Sequence, residues 1–324
     1  MDSKEWFKEA KFGFMSHFGL YSVLDGMYRG KPCNEWVRHH FRIPMEEYHT
    51  LAKVFNPVYF SADEWVKTAR DAGMKYMVLT AKHHEGFAMY HSRASKFNVV
   101  DATPFGRDIV GELAESCYKN GMKFGIYYSQ DLDWDDPDGG GIYPTKWEPN
   151  GANNVWDFDP ARKVDFARYF EGKVIPQVKE LLTGYGDLCL IWFDCPWTLT
   201  KEQSERLYRL VKDIQPDCLV SSRLGNGFGD YGSGGDNELD MNGNRGPAEV
   251  PATISGNGVW CFSHYDMKYK DAETIIRERG ELNARGVNYL LNIGPDHLGR
   301  LPGEAVTVLS EVGRRTRGDI NTGV

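Results

Sequence analysis

The stretch Leu188-Cys189-Leu190-Ile191-Trp192-Phe193 is apolar throughout and is followed at once by Asp194. A parallel strand that is covered on both faces shows such a continuous apolar run, because neither face needs polar side chains. The stretch therefore predicts a buried strand with a carboxylate at its carboxyl end. Similar runs occur at residues 12–18, 76–82, 123–129, 218–224, 259–263 and 288–293.

Amphipathic helical patterns lie between most of these strands, at residues 62–72, 107–119, 161–182, 201–214 and 272–284. Seven strands alternating with at least five helices fit a (β/α) barrel better than a doubly wound sheet. We predict an α/β fold, a (β/α)8-like (TIM-type) barrel that is irregular, with one strand not located. The chain shows no linker, repeat or low-complexity tract, so residues 1–324 are expected to form a single catalytic domain.

The composition excludes several classes of protein. The 324 residues are 41% hydrophobic, which is enough for a full core, and the formal net charge is −8 without a basic run. Neither nucleic acid nor a membrane is therefore an expected partner. No long apolar segment or signal-peptide pattern occurs, so we expect a cytoplasmic protein in which the six scattered cysteines are reduced.

Three carboxylates follow predicted strands, where barrel enzymes build their active sites. Asp194 follows the strand quoted above, and Asp236 lies in Gly235-Asp236-Asn237-Glu238, after the strand at residues 218–224. Glu249 lies further along the same long connection. The alternative for Asp194 is a helix N-cap, and the alternative for the other two is a solvated loop.

Histidines form a second group of candidates. His17 closes the first strand, and the adjacent His83 and His84 follow the second. Three imidazoles at neighbouring strand ends can bind zinc or form hydrogen bonds with hydroxyl groups. Adjacent side chains on a strand point in opposite directions, so the metal site is not favoured, and no cofactor is expected. Glu35-Trp36 and Tyr128 are candidates either for sugar binding or for packing.

Other motifs do not support a competing chemistry. The stretch Gly227-Phe228-Gly229-Asp230-Tyr231-Gly232 fits G-x-G-x-x-G, but the sequence after it does not open a helix that could bind phosphate. The chain contains neither a G-x-S-x-G elbow nor a Walker loop, which argues against a serine hydrolase or a P-loop enzyme.

Four blocks together resemble the α-L-fucosidases of glycoside hydrolase family 29 over residues 5–315. They are Lys11-Phe12-Gly13-Phe14-Met15-Ser16-His17-Phe18-Gly19-Leu20-Tyr21-Ser22, Leu79-Thr80-Ala81-Lys82-His83-His84-Glu85-Gly86-Phe87, Trp192-Phe193-Asp194 and Tyr289-Leu290-Leu291-Asn292-Ile293-Gly294-Pro295. Segments 127–141 and 226–238 are similar to the bacterial branch that acts on α-1,6-linked fucose. The resemblance implies a retaining exo-α-L-fucosidase that needs no metal.

The same resemblance assigns roles to individual residues. Asp194 matches the nucleophile and Asp236 the acid/base, while Glu249 matches a glutamate of the family motif W-E-T and is the alternative acid. The positions expected around the fucose ring are His17, Glu35, Trp36, His83, His84, Tyr128, Arg223 and Trp260. The implied partner is a fucosylated oligosaccharide or glycoconjugate.

The chain departs from the family pattern at three places. Phe18 and Ala248 stand where the family usually has tryptophan, and no C-terminal β-sandwich is expected after residue 315. Neighbouring loops or another subunit of a homo-oligomer are therefore expected to complete the site. Two other classes stay open: a metal-dependent barrel hydrolase and a non-catalytic sugar-binding barrel.

Overall fold

Eight parallel strands form the centre of the protein in a computed structural model that describes residues 2–159, 161–240, 246–266 and 268–318. The strands are β1 Phe12–Ser16, β2 Tyr76–Lys82, β3 Lys123–Tyr128, β4 Leu190–Phe193, β5 Leu219–Val220, β6 Gly232–Ser233, β7 Ala248–Thr253 and β8 Val287–Asn292. They lie in the order β5-β4-β3-β2-β1-β8-β7-β6. A parallel bridge between Ser221 and Tyr231 joins the two end strands, so the predicted irregular barrel is confirmed.

Helices surround this sheet. They are α1 Ser3–Ala10, α2 Val37–His40, α3 Met45–His49, α4 Ala62–Asp71, α5 Ile109–Lys119, α6 Phe166–Tyr169, α7 Ile175–Gly184, α8 Lys201–Ile214, α9 Ala272–Ala284 and α10 Gly303–Gly318. A π-helical segment, Phe170–Val174, connects α6 to α7. A short antiparallel pair, Met27–Tyr28 with Lys31–Pro32, lies in the loop after β1. Within the described ranges, none of the helices has the length and apolar character needed to cross a bilayer.

One predicted strand was wrong, and two of the observed strands were not predicted. Residues 259–263 form no strand; the strand in this part of the chain is β7, which contains Glu249 and Pro251. The strand that the sequence did not locate is β6, which has only two residues, a glycine and a serine. Neither β6 nor β7 has a continuous apolar run, because β6 is too short and β7 buries a polar side chain inside the barrel.

The barrel separates two apolar clusters, one inside it and one between the sheet and the helices. Tyr127 and Trp192 belong to the inner cluster together with Met15 and Leu290. Tyr128 and Phe193, the next residues along the same two strands, belong to the outer cluster. This alternation follows from the geometry of a strand, in which successive side chains point to opposite faces. It decides which side chains can reach the mouth of the barrel.

Candidate active site

Asp194 lies directly after β4, at the carboxyl end of the barrel, and its carboxylate accepts two hydrogen bonds. The hydroxyl of Tyr127 donates to Oδ2 over 2.9 Å, and a guanidinium nitrogen of Arg223 donates to Oδ1 over 3.1 Å. The N-cap alternative does not hold, because Thr200 caps the following helix α8 with a full capping box. The carboxylate of Asp194 is thus fixed at the barrel mouth by Tyr127 and Arg223.

Arg223 connects two of the predicted catalytic residues. It lies in a single helical turn after β5 and donates to Asp194 and, over 2.5 Å, to Oδ1 of Asp236. Its guanidinium also stacks 4.6 Å from the centroid of the Trp192 ring. Asp236 is half-exposed while Asp194 is nearly buried, at 51% and 13% side-chain exposure. The two carboxylates therefore share one cation but differ in their access to solvent.

The hydrogen bonds of His84 determine which of its ring nitrogens carries the proton. Ser129 donates its hydroxyl proton to the carbonyl of Leu132 over 2.7 Å. His84 Nδ1 lies 2.6 Å from the same hydroxyl oxygen, so Nδ1 is the donor and Nε2 carries the lone pair. Burial lowers the pKa of His84 well below its usual value, so the ring is neutral.

His17 is fixed in the same way. The amide nitrogen of Asn292 donates to the carbonyl of Trp260 over 2.6 Å, which leaves the amide oxygen 2.8 Å from His17 Nδ1. Nδ1 therefore donates and Nε2 accepts. Burial lowers the pKa of His17 to about 4. Both histidines thus offer a neutral Nε2 that can accept a hydrogen bond from a hydroxyl group.

His83 and Glu35 carry buried polar atoms that have no hydrogen-bond partner among the described residues. These atoms are Nδ1 of His83 and Oε2 of Glu35. Burial lowers the pKa of His83 well below its usual value and raises the pKa of Glu35 to about 7. A buried polar group without a partner is unfavourable, so these two atoms are suited to a polar ligand that enters the barrel mouth.

Aromatic rings form the walls around these polar groups. Trp36 packs edge-on against His84 and Trp134, with ring centroids 5.0 and 5.2 Å apart, and Trp197 lies 6.1 Å from Trp36. Trp260 contacts the ring of His17 at 5.1 Å on the other side. The structure therefore brings Trp36 and Trp260 to the same pocket as the histidines.

The structure does not bring Tyr128 to the pocket. Its hydroxyl donates to Gln177 over 2.8 Å, and the ring lies in the outer cluster. Tyr127, the residue before it, points into the barrel and contacts Asp194. The strand boundary in the sequence did not determine which of two adjacent tyrosines faces inward, so Tyr128 is corrected to Tyr127 here.

A matched pair of variants tests this correction. Tyr127→Phe removes a hydrogen bond to a charged group, so we expect kcat to fall roughly 10- to 100-fold. Tyr128→Phe removes only a buried contact with Gln177, so we expect a loss of about 1 kcal/mol in stability and an almost unchanged kcat. Thermal unfolding and steady-state kinetics of both variants measure the two effects. A larger loss of kcat in Tyr128→Phe would contradict the assignment.

Glu249 lies inside the barrel and not on a loop at its mouth. It is fully buried in β7, and it accepts hydrogen bonds from Tyr76 and from the indole of Trp192, each over 2.8 Å. Burial raises the pKa of Glu249 to about 7. Trp192 stacks on Tyr127 at 5.4 Å and on Arg223, the two residues that hold Asp194. Glu249 thus acts on the site from inside the barrel, through the indole ring of Trp192.

The three histidines do not form a metal-binding group in the described part of the chain. A different group of potential metal ligands does converge in the described residues. It has one ligand atom from each of His84, Asp194 and Cys195, and these atoms lie within 4.8 Å of one another. Cys195 follows Asp194 in the left-handed backbone region, with φ 49°. Burial raises the pKa of its thiol well above the usual value.

Several residues of the pocket were not identified from the sequence. Trp134, Trp192, Asn292 and Tyr127 all contact predicted site residues. Trp192 and Asn292 lie inside the family motifs quoted above, so the sequence did mark their positions. Only the structure shows that their side chains contact the site. Trp134 lies in the polar stretch after β3, inside the segment 127–141 that is similar to the bacterial branch, but nothing in that segment singled it out.

Sequence comparison places these residues in a known family. A family model described as Alpha-L-fucosidase matches residues 1–318. The α-L-fucosidase of Dictyostelium discoideum is 29% identical, over 95% of this chain and 68% of the relative. The tissue α-L-fucosidase of Rattus norvegicus is 29% identical, over 90% of this chain and 63% of the relative. The chain thus spans about two thirds of the length of these curated relatives.

Solved structures are similar over the whole fold. The unliganded α-L-fucosidase AlfC from Lactobacillus casei is 47% identical, with a TM-score of 0.92 and 99% of each chain covered. A variant of AlfC in complex with Fucα(1,6)GlcNAc is 46% identical, with the same TM-score and coverage. The α-L-fucosidase from Vibrio sp. strain EJY3 is 37% identical with a TM-score of 0.90, over 98% of this chain and 56% of that one.

Proposed function

The chain belongs to the α-L-fucosidase family, and from this premise we propose that it is an exo-α-L-fucosidase that releases terminal L-fucose with retention of configuration. The observation that carries the proposal is the carboxylate of Asp194, held at the barrel mouth by Tyr127 and Arg223 beside the neutral imidazole of His84. A retaining glycosidase needs such a carboxylate as nucleophile and a second carboxyl group as acid and base.

In this mechanism Asp194 attacks C1 of fucose and forms a covalent fucosyl-enzyme. The two hydrogen bonds that it accepts, from Tyr127 and Arg223, hold the carboxylate in place at the barrel mouth. Asp236 donates a proton to the departing oxygen, and it then removes a proton from the water that releases fucose. Solvent access to Asp236 is consistent with this second step.

Arg223 imposes a condition on the first step. An acid catalyst must reach the departing oxygen with its carboxyl group, whereas in the structure Oδ1 of Asp236 accepts a hydrogen bond from the Arg223 guanidinium. We infer that Asp236 leaves Arg223 when the aglycone binds and turns toward the departing oxygen. Arg223 then remains on Asp194, where its charge favours the nucleophile.

The remaining residues suit recognition of the fucose ring. Nε2 of His17 and of His84 accept hydrogen bonds from hydroxyl groups, and the partnerless atoms of His83 and Glu35 add two further polar contacts. The aromatic wall offers an apolar face to the C6 methyl group. Trp36 and Trp260 belong to this wall, Trp36 against the ring of His84 and Trp260 against the ring of His17.

Proton NMR of the reaction tests the stereochemistry. We expect α-L-fucose to appear first, because two successive displacements retain configuration; the carboxyl groups of such enzymes lie about 5 to 5.5 Å apart. Early β-L-fucose would contradict the retaining mechanism.

We also propose a preference for α-1,6-linked fucose on GlcNAc, which rests on the similarity to AlfC. A panel of α-1,2, α-1,3, α-1,4 and α-1,6 fucosides tests this preference.

A further inference from the structure

Three ligand-type atoms converge beside the carboxylate of Asp194. His84 Nε2 lies 3.8 Å from Asp194 Oδ2, and the thiol of Cys195 completes a group within 4.8 Å. Arg223 contacts the other carboxylate oxygen, Oδ1. Cys195 has no role in the mechanism proposed above, although its thiol lies beside the nucleophile.

We propose that His84, Asp194 and Cys195 form an inhibitory site for a soft divalent cation such as Zn²⁺. Zinc binds imidazole nitrogen and carboxylate oxygen at about 2.0 to 2.2 Å and thiolate sulfur at about 2.3 Å. In a tetrahedral site these ligand atoms lie about 3.3 to 3.6 Å apart. The observed separations exceed this range by about an ångström at most, which small side-chain rotations provide.

The hydrogen bonds around His84 prepare it for this role. A metal-binding histidine usually donates its second ring N–H to a protein oxygen, which fixes the tautomer and the ring orientation. His84 Nδ1 donates to Ser129, and the hydroxyl of Ser129 is itself held by Leu132. The Nε2 lone pair is therefore available before any ion arrives, 3.4 Å from the hydroxyl of Tyr127 and 3.8 Å from Oδ2 of Asp194.

The carboxylate of Asp194 is also held in place, and the thiol of Cys195 is the ligand that has to rotate toward the ion. Tyr127 and Arg223 fix the Asp194 carboxylate, and Oδ2 keeps a second lone pair beside the one that accepts from Tyr127. Cys195 has a left-handed backbone conformation, and its thiol lies within 4.8 Å of the ligand atoms of His84 and Asp194. Binding replaces the thiol proton, which passes to solvent, by a Zn–S bond; no atom is oxidised or reduced.

The consequence rests on the proposed function: an ion on Asp194 occupies the nucleophile, so zinc and fucoside compete. The site would thus make hydrolysis sensitive to free zinc while hydrolysis itself needs no metal. This differs from a metal-dependent hydrolase, in which removal of the ion abolishes turnover.

Zinc titration of kinetics tests this with the wild type, Cys195→Ala and, as a matched control, Cys33→Ala, which removes the other partly exposed thiol. We expect Zn²⁺ to inhibit the wild type and Cys33→Ala competitively, and Mg²⁺ to have no such effect. Cys195→Ala should keep the metal-free rate and raise the inhibition constant for zinc at least tenfold. An equal inhibition constant in Cys195→Ala would overturn the proposal.

Cobalt binding provides a measurement that does not depend on turnover. Co²⁺ added to the wild type should give a thiolate-to-cobalt charge-transfer band that Cys195→Ala lacks and that L-fucose suppresses. The absence of the band in the wild type would overturn the site. The band in a protein that cleaves no fucoside would refute the proposed hydrolysis and leave the metal site standing.

Discussion

Replacement of Asp194 by glycine is expected to abolish the hydrolysis of every fucoside, by roughly 10⁴-fold or more. The reason is that a nucleophile is needed whatever the leaving group, and the described site offers no second carboxylate held by both Tyr127 and Arg223. Steady-state kinetics with an activated aryl fucoside and with Fucα(1,6)GlcNAc measure the loss. Turnover similar to that of the wild type with either substrate would remove Asp194 from the mechanism.

Rescue by azide separates the loss of a nucleophile from misfolding. Asp194→Gly leaves a cavity next to C1 that a small anion can enter, and azide attack from that side should release β-fucosyl azide from the aryl fucoside. Asp194→Asn fills the same space and serves as the control, in which rescue should be much weaker. A folded Asp194→Gly protein in which azide gives no product would contradict the assignment.

The second large effect concerns the acid catalyst, for which Asp236 and Glu249 are the candidates. Protonation matters most for a poor leaving group, so Asp236→Asn should lower the hydrolysis of fucosyl-GlcNAc by roughly 10²- to 10⁴-fold. It should retain far more activity on fucosyl fluoride or a dinitrophenyl fucoside. Parallel kinetics on the two kinds of substrate measure the difference.

Glu249→Gln is the matched comparison, and a different pattern is expected from it. Glu249 contacts Trp192, which supports both Tyr127 and Arg223, and these in turn hold Asp194. The loss of the Glu249 carboxylate should therefore lower the hydrolysis of both substrates by similar factors, as expected of a positioning residue. If Glu249→Gln lowers the hydrolysis of fucosyl-GlcNAc but not that of the activated fucoside, while Asp236→Asn lowers the hydrolysis of both, the acid catalyst is Glu249.

The sequence alone determined the class of fold and predicted most of the residues of the candidate site. Continuous apolar runs followed by polar residues predicted parallel strands with functional side chains at their carboxyl ends, and Asp194 and the histidines lie there. These features are local, because a strand buried on both faces must be apolar along its whole length. Family motifs added Asp236, Arg223 and the aromatic positions.

Tertiary structure alone decided the orientation and connection of these residues. A shift of one residue along β3 exchanges Tyr127 for Tyr128, and only the packing of the barrel selects the inward side chain. Glu249 was expected on a loop because a carboxylate in a buried strand contradicts the apolar pattern; the donors that make its burial tolerable, Tyr76 and Trp192, come from distant strands. The sharing of Arg223 by two carboxylates, and the tautomers of His17 and His84, likewise depend on contacts between residues far apart in the chain. Local sequence cannot determine such contacts, because they exist only once the barrel has closed.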